Sequence, residues 1–171
     1  MAPLWDARLG GELNESLSEG SRFRTLVHGD AKPENILCNA SSGHVECAAL
    51  DFGWVGEGYG ACDVAYLLWD QIASNVVQDL LSYYYSKLLE KLPEASYTRE
   101  KLQEHFDLCV MDFIRWELGF QGSRHFWAMP WAIETLRRTL RGSKWREGAT
   151  GGTRGPRRGS LGKPAIPHLQ L

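Results

Sequence analysis

The chain has 171 residues, is 43% hydrophobic and 11% aromatic, and carries a formal charge of −2. That is enough material for one domain with a sizeable core, and it excludes a wholly disordered chain. No run of eighteen apolar residues occurs, so no membrane span is expected. Met1 to Leu13 lacks a basic flank followed by an apolar stretch, which leaves a cytoplasmic setting as the expectation.

The charge is unevenly spread. Residues 1–140 hold 12 Lys/Arg against 20 Asp/Glu, a balance of −8, and residues 141–171 hold 7 against 1, a balance of +6. An acidic body suits a cationic or metal-bound substrate better than nucleic acid, so no nucleic-acid partner is expected. The four cysteines, Cys38, Cys47, Cys62 and Cys109, form no CxxC pair and no zinc-spaced grouping, and read as free buried thiols.

In chain order, residues 4–19 suggest a short leading helix. Thr25-Leu26-Val27 is an apolar, strand-like run ending at a His28-Gly29-Asp30 turn. Ile36-Leu37-Cys38 and Val45 to Leu50 are two more strands, joined by an Asn39 to Gly43 hairpin loop. Gly56-Glu57-Gly58-Tyr59-Gly60 lacks the preceding nucleotide-binding unit of a phosphate loop and reads as a flexible turn. The remainder is helical. One helix is expected over Asp63 to Ile72. A second is capped by Asn75 with Gln78 and carries Val77, Leu80, Leu81, Tyr84 and Leu88 on one face, ending before Pro93. A third is capped by Thr98 and carries a stripe of Leu102, Phe106, Cys109, Phe113 and Trp116, broken at Gly119 and Gly122. A last one runs from Trp131 to Leu140. Ten of residues 142–171 are Gly or Pro and no hydrophobic period survives there, so that tail is expected to be disordered. The expected divisions are a leading segment 1–24, a body 25–141 and a basic tail 142–171.

The chemistry-bearing segment is His28-Gly29-Asp30-Ala31-Lys32-Pro33-Glu34-Asn35. It sets a carboxylate and a carboxamide five residues apart on a loop between strands. Asp51-Phe52-Gly53 follows sixteen residues after Asn35, directly behind the Val45 to Leu50 strand. Phosphoryl transfer needs positioning and charge neutralisation rather than covalent help. One Asp can orient and deprotonate an attacking hydroxyl, while Asn and a second Asp supply the oxygen ligands that a hard cation such as Mg2+ requires.

HGDxxxxN, then a hairpin, then DFG resembles the kinase-like small-molecule phosphotransferases, which include aminoglycoside phosphotransferases, choline kinases and ecdysteroid-kinase-like proteins. Leu50 to Gly60 followed by Asp63-Val64-Ala65-Tyr66-Leu67-Leu68 looks most like the ecdysteroid-kinase-like branch. The resemblance covers roughly residues 20–140. It implies Asp30 as catalytic base, Asn35 and Asp51 as magnesium ligands in an ATP site, and Asp63 as a brace of the catalytic loop. His28 is expected to support the loop structurally. Lys32 either contacts the transferred phosphate or faces solvent; the two readings weigh equally. The fold this implies is α+β and mainly helical: a protein-kinase-like C-terminal lobe with short strands around the loop and the amino lobe missing.

Gly29 stands where many protein kinases carry an Arg, and nine residues between Gly53 and Asp63 leave no room for a long activation segment. The acceptor is therefore expected to be a hydroxyl of a small molecule. Of the aromatics Phe113, Trp116, Phe120, Phe126, Trp127 and Trp131, most are expected in the core, with Asp112, Arg115 and Glu117 among them as candidate acceptor contacts. The residues before His28 hold no Gly-rich loop and no Val-Ala-Ile-Lys-like strand. Two classes stay open: a phosphotransferase whose ATP-gripping lobe is not in this chain, with little turnover expected from residues 1–171 alone, or an inactive remnant that binds or regulates a partner.

Overall fold

The structure, a computed structural model, describes residues 7–18, 22–41, 43–69, 74–94, 96–120 and 130–141. The expected tail 142–171, and Gly122, Phe126 and Trp127, lie outside the described residues. The chain runs α1 (Ala7–Ser18), β1 (Thr25–Val27), β2 (Ile36–Ser41), β3 (His44–Ala49), β4 (Gly56–Gly58), α2 (Gly60–Leu67), α3 (Ser74–Lys91), α4 (Arg99–Phe120) and α5 (Pro130–Arg141), with single 3-10 turns at Pro33–Asn35 and Phe52–Trp54. The fold is α+β and mainly helical.

α4 is the central column, packed on α1, α2, α3 and α5. Its start follows from Thr98, whose hydroxyl accepts from the Lys101 amide at 3.1 Å and satisfies one orphan donor of the first turn. Leu102, Phe106, Val110, Met111 and Ile114 are fully buried. The expected stripe therefore forms the core, and α4 is apolar around more of its girth than one face. α3 faces it with buried Val77 and Leu81. Its first residue is Ser74, so Asn75 lies in the first turn instead of capping it. α5 opens on Pro130, where the missing amide costs nothing, and Arg138 reaches the buried Asp107 of α4 through two bonds of 3.0 and 2.6 Å.

The strands sit at one end as two antiparallel pairs. β1 pairs with β4, and β2 with β3 in the register Ile36↔Ala49 to Ser41↔His44. Three expectations change here. The strand pairing runs to Ser41 and His44, so the hairpin loop shrinks from five residues to two, with Gly43 at φ +83°. Residues 56–58 form a strand on β1 and not a free turn, and α2 starts at Gly60, three residues earlier than expected. β3, apolar as it reads, is exposed along its whole length.

The cysteines are the fourth correction. Cys38 is paired with Cys47 across the hairpin, and Cys62 with Cys109, joining α2 to α4; no described cysteine is free. Spacing alone could not show this, because the partners are brought together by strand register and helix packing.

His105 is buried in α4. It stacks on Tyr59 at 3.8 Å between ring centres, and its Nδ1 meets the Tyr97 hydroxyl at 2.9 Å. Burial holds its pKa below the ordinary imidazole value, with nearby Glu104 opposing and Lys101 assisting. The folded state thus binds that proton less readily than the unfolded chain. Its stability contribution is present above about pH 6.5 and is lost as pH falls below it. Denaturant midpoints are expected to drop between pH 8 and pH 5, and the drop should be smaller in His105→Gln.

Candidate functional site

The loop between β1 and β2 is held from beneath by α2. The Asp63 carboxylate accepts the His28 amide at 2.7 Å and the Gly29 amide at 3.0 Å. An acidic side chain in the first turn of α2 also sits well in the positive field of the helix start. The His28 ring spans the loop. Its Nδ1 accepts the Asp30 amide at 3.3 Å, which leaves the hydrogen on Nε2 to donate to the Leu50 carbonyl at 2.8 Å. The ring also tilts against Phe52 at 4.6 Å. His28 therefore ties the Asp30 loop to the residue before Asp51.

Gly29 adopts φ +82°, and a Cβ there would stand 2.3 Å from the Trp54 carbonyl oxygen and 2.9 Å from its carbon. Both the left-handed backbone and the close approach demand glycine. Gly29→Ala is expected to cost about 2 kcal/mol or more from the backbone term and the collision together, read as a fall in denaturant midpoint.

Asp30 and Asn35 are both buried. The Asn35 side-chain nitrogen donates to the Asp30 carbonyl at 2.9 Å and to its Oδ2 at 2.7 Å, and Lys32 Nζ reaches the same Oδ2 at 2.9 Å. That bond, with the surrounding charges of Asp30, Glu34 and Asp51, raises the Lys32 pKa against the effect of burial. Lys32 is part of the cluster and not a solvent-facing bystander. The Leu50 amide donates to the Asn35 carbonyl at 2.8 Å, so the end of β3 is fastened to Asn35 and Asp51 follows at once. Asp51 is the only described non-glycine residue with positive φ, at 59°, a conformation that stores strain. It is exposed, and a Cβ on Gly53 would crowd its Oδ1 at 3.3 Å.

The donors fit a hard cation. An amide presents nitrogen and oxygen on opposite sides, so with the Asn35 nitrogen committed to Asp30 its oxygen is the available ligand, and the Asp51 carboxylate, just after the strand fastened to Asn35, is a second oxygen donor. Among the described residues no group of three or more His, Cys, Asp or Glu is arranged to hold a metal alone. Magnesium suits such a half-site, because it takes one or two protein oxygens and fills its octahedron with water and phosphate.

Next to Asp30 opens a cavity of about 430 Å³. Tyr66, Phe113 and Trp116 contribute aromatic rings to it, the Cys62–Cys109 bridge lies in its wall, and Asp112 and Arg115 line it as an ion pair 2.5 Å apart. Phe113 serves cavity and core together and carries Trp116 against its ring at 5.3 Å, whereas Trp131 is buried in the core and Glu117 is buried on α4. Sequence reasoning missed Tyr66. The signal was its position three residues after Asp63, which puts both side chains on one face of α2.

No described helix is long and apolar enough to cross a membrane. No curated protein and no solved structure matches the chain. Residues 13–114, which contain His28, Asp30, Lys32, Asn35, Asp51, Asp63 and Tyr66, match the family DUF1679, described as uncharacterized oxidoreductase dhs-27. That match spans more than half of the sequence, and the chain belongs to DUF1679.

Proposed function

We propose that these residues are the carboxyl-terminal lobe of a kinase-like phosphotransferase, acting on a hydroxyl of a small molecule with ATP as donor. The observation that carries this reading is the cluster of buried Asp30 and Asn35 with half-exposed Lys32, fastened through the Asn35 carbonyl to Leu50, the residue before the strained Asp51. Asp30 orients the acceptor hydroxyl and takes its proton. The acceptor oxygen forms a bond to the γ-phosphorus, the bond from that phosphorus to the ADP oxygen breaks, and ADP leaves with the electron pair. Lys32 supplies positive charge to the transferred group. Asn35 and Asp51 would hold Mg2+, which when bound neutralises phosphate charge. The cavity beside Asp30 receives the acceptor.

The family description contains the word oxidoreductase. A dinucleotide-binding unit is built on parallel strands joined through helices, whereas both described sheets are antiparallel pairs, so the described residues contain no such unit. Nor do they include a Gly-rich phosphate-covering loop, so the reading assigns them the catalytic and magnesium side of the site only.

Calorimetry with ATP tests the reading. Magnesium-dependent heat that disappears in Asp51→Ala supports it. Equal heat in the variant, or ATP binding indifferent to magnesium, overturns it. In any preparation that transfers phosphate, Asp30→Asn is expected to lower turnover by about 10²–10⁴-fold.

A further inference from the structure

α2 touches the catalytic loop twice. Asp63 holds the backbone of His28 and Gly29. One turn later on the same face stands Tyr66, half-buried, its ring tilted on Phe113 at 4.7 Å, lining the same cavity as Asp30. The Asp30 carboxylate already receives Lys32 and Asn35 on Oδ2 from the loop side. Tyr66 is the tyrosine of α2 that lines the cavity beside it.

We propose that Tyr66 is a positioning residue for Asp30, its hydroxyl donating to the carboxylate and fixing the carboxylate plane toward the cavity where the acceptor enters. The loop contacts alone leave the carboxylate tethered from one side. A second donor, carried by a helix that the Cys62–Cys109 bridge pins to α4, removes that freedom. Correct placement of a proton-accepting group is worth far more than its mere presence, because small displacements from reacting geometry are costly in rate. Tyr66 is suited to stay a donor: burial, then the charge of Asp30, then a hydrogen bond to Asp30 push its hydroxyl up to about 12. Glu34 and Glu117 face it as well and add to that effect. The proposal rests on the reading of Asp30 as the base, and its test separates the two.

Tyr66→Phe keeps the ring against Phe113 and removes only the hydroxyl. In a preparation whose turnover falls in Asp30→Asn, Tyr66→Phe is expected to lower kcat roughly tenfold while leaving KM for ATP unchanged. The contact itself is read without turnover, from the ring-carbon resonance of labelled tyrosine, assigned to Tyr66 by its absence in Tyr66→Phe. In the wild type it is expected to remain protonated where ordinary tyrosines ionise, around pH 10. In Asp30→Asn its midpoint is expected to fall by about one unit, since Glu34 and Glu117 remain. An unchanged midpoint overturns the proposal, and so does full turnover by Tyr66→Phe. ATP binding indifferent to magnesium counts against the phosphotransfer reading, and the titration then decides the Tyr66–Asp30 contact by itself.

Discussion

Removing the Cys62–Cys109 bridge is expected to lower the unfolding free energy by about 4 kcal/mol. The bridge closes a loop with a sequence separation of 47, and the chain-entropy relation for a loop of that length gives this figure. Its place sharpens the effect. Cys62 adjoins Asp63 in the first turn of α2, and Cys109 sits in the buried middle of α4, so the bridge joins the helix that braces the Asp30 loop to the helix that forms the core. The hairpin bridge Cys38–Cys47 closes a loop of separation only 9, for which the same relation gives about 2.7 kcal/mol. It lies on strands whose side chains are exposed, so its removal is expected to loosen the hairpin and spare the helices. Denaturant unfolding of Cys62→Ala/Cys109→Ala beside Cys38→Ala/Cys47→Ala measures the difference. Equal loss in both would show that loop length and packing do not govern the effect. Two bridges also run against the cytoplasmic expectation, since cytosolic thiols are kept reduced.

The second large effect belongs to Asp63. Its two carboxylate oxygens each accept one backbone amide, from His28 and from Gly29. Asp63→Ala leaves both amides without a partner and withdraws two charge-assisted bonds, with an expected cost of about 3 kcal/mol. Asp63→Asn is expected to rescue little, because its one oxygen serves one amide while its NH2 group faces the other amide donor to donor. The functional effect should exceed the thermal one. Without the brace, Gly29 loses its left-handed setting against Trp54, and the Asp30 that follows moves with it. Both variants are expected to lose magnesium-dependent ATP heat while keeping the helical circular-dichroism signal of the α4 core. Retention of that heat in Asp63→Ala would mean that the loop holds its shape without the brace.

Much of this was legible in the residues. Period and capping located α4 through Thr98 and the Leu102–Phe106–Cys109 stripe, because both are local signals. Asp30, Asn35 and His28 could be singled out from residue types and spacing within one loop, and Asp63 only through the resemblance to kinase-like phosphotransferases; the structure brings the four together. Lys32 could be only half read: whether a loop lysine turns inward depends on what stands opposite it, and here that is Asp30 Oδ2. The hairpin loop was overestimated because Asn39, Ala40 and Ser41 look like turn residues, yet cross-strand pairing carries the strand through them. The disulfides depend on register and on helix packing, which no local pattern encodes. Tyr66 reads as one more apolar helix residue until the turn that follows Asp63 is set against the loop. Gly29 was legible only as a departure from an Arg. The structure adds the reason, a backbone that passes within contact distance of Trp54.

The central claim is that Asn35 and Asp51 form the protein's half of a magnesium–nucleotide site. Mn2+, standing in for Mg2+ with ATP, is the most direct probe, read as paramagnetic broadening of assigned resonances. The account predicts that the Asn35 side-chain amide and the Asp51 to Gly53 backbone broaden first, that the Asp107–Arg138 pair across the core stays sharp, and that Asp51→Ala abolishes the pattern. Broadening that is uniform over the acidic surface, or that leaves Asn35 sharp, would contradict it.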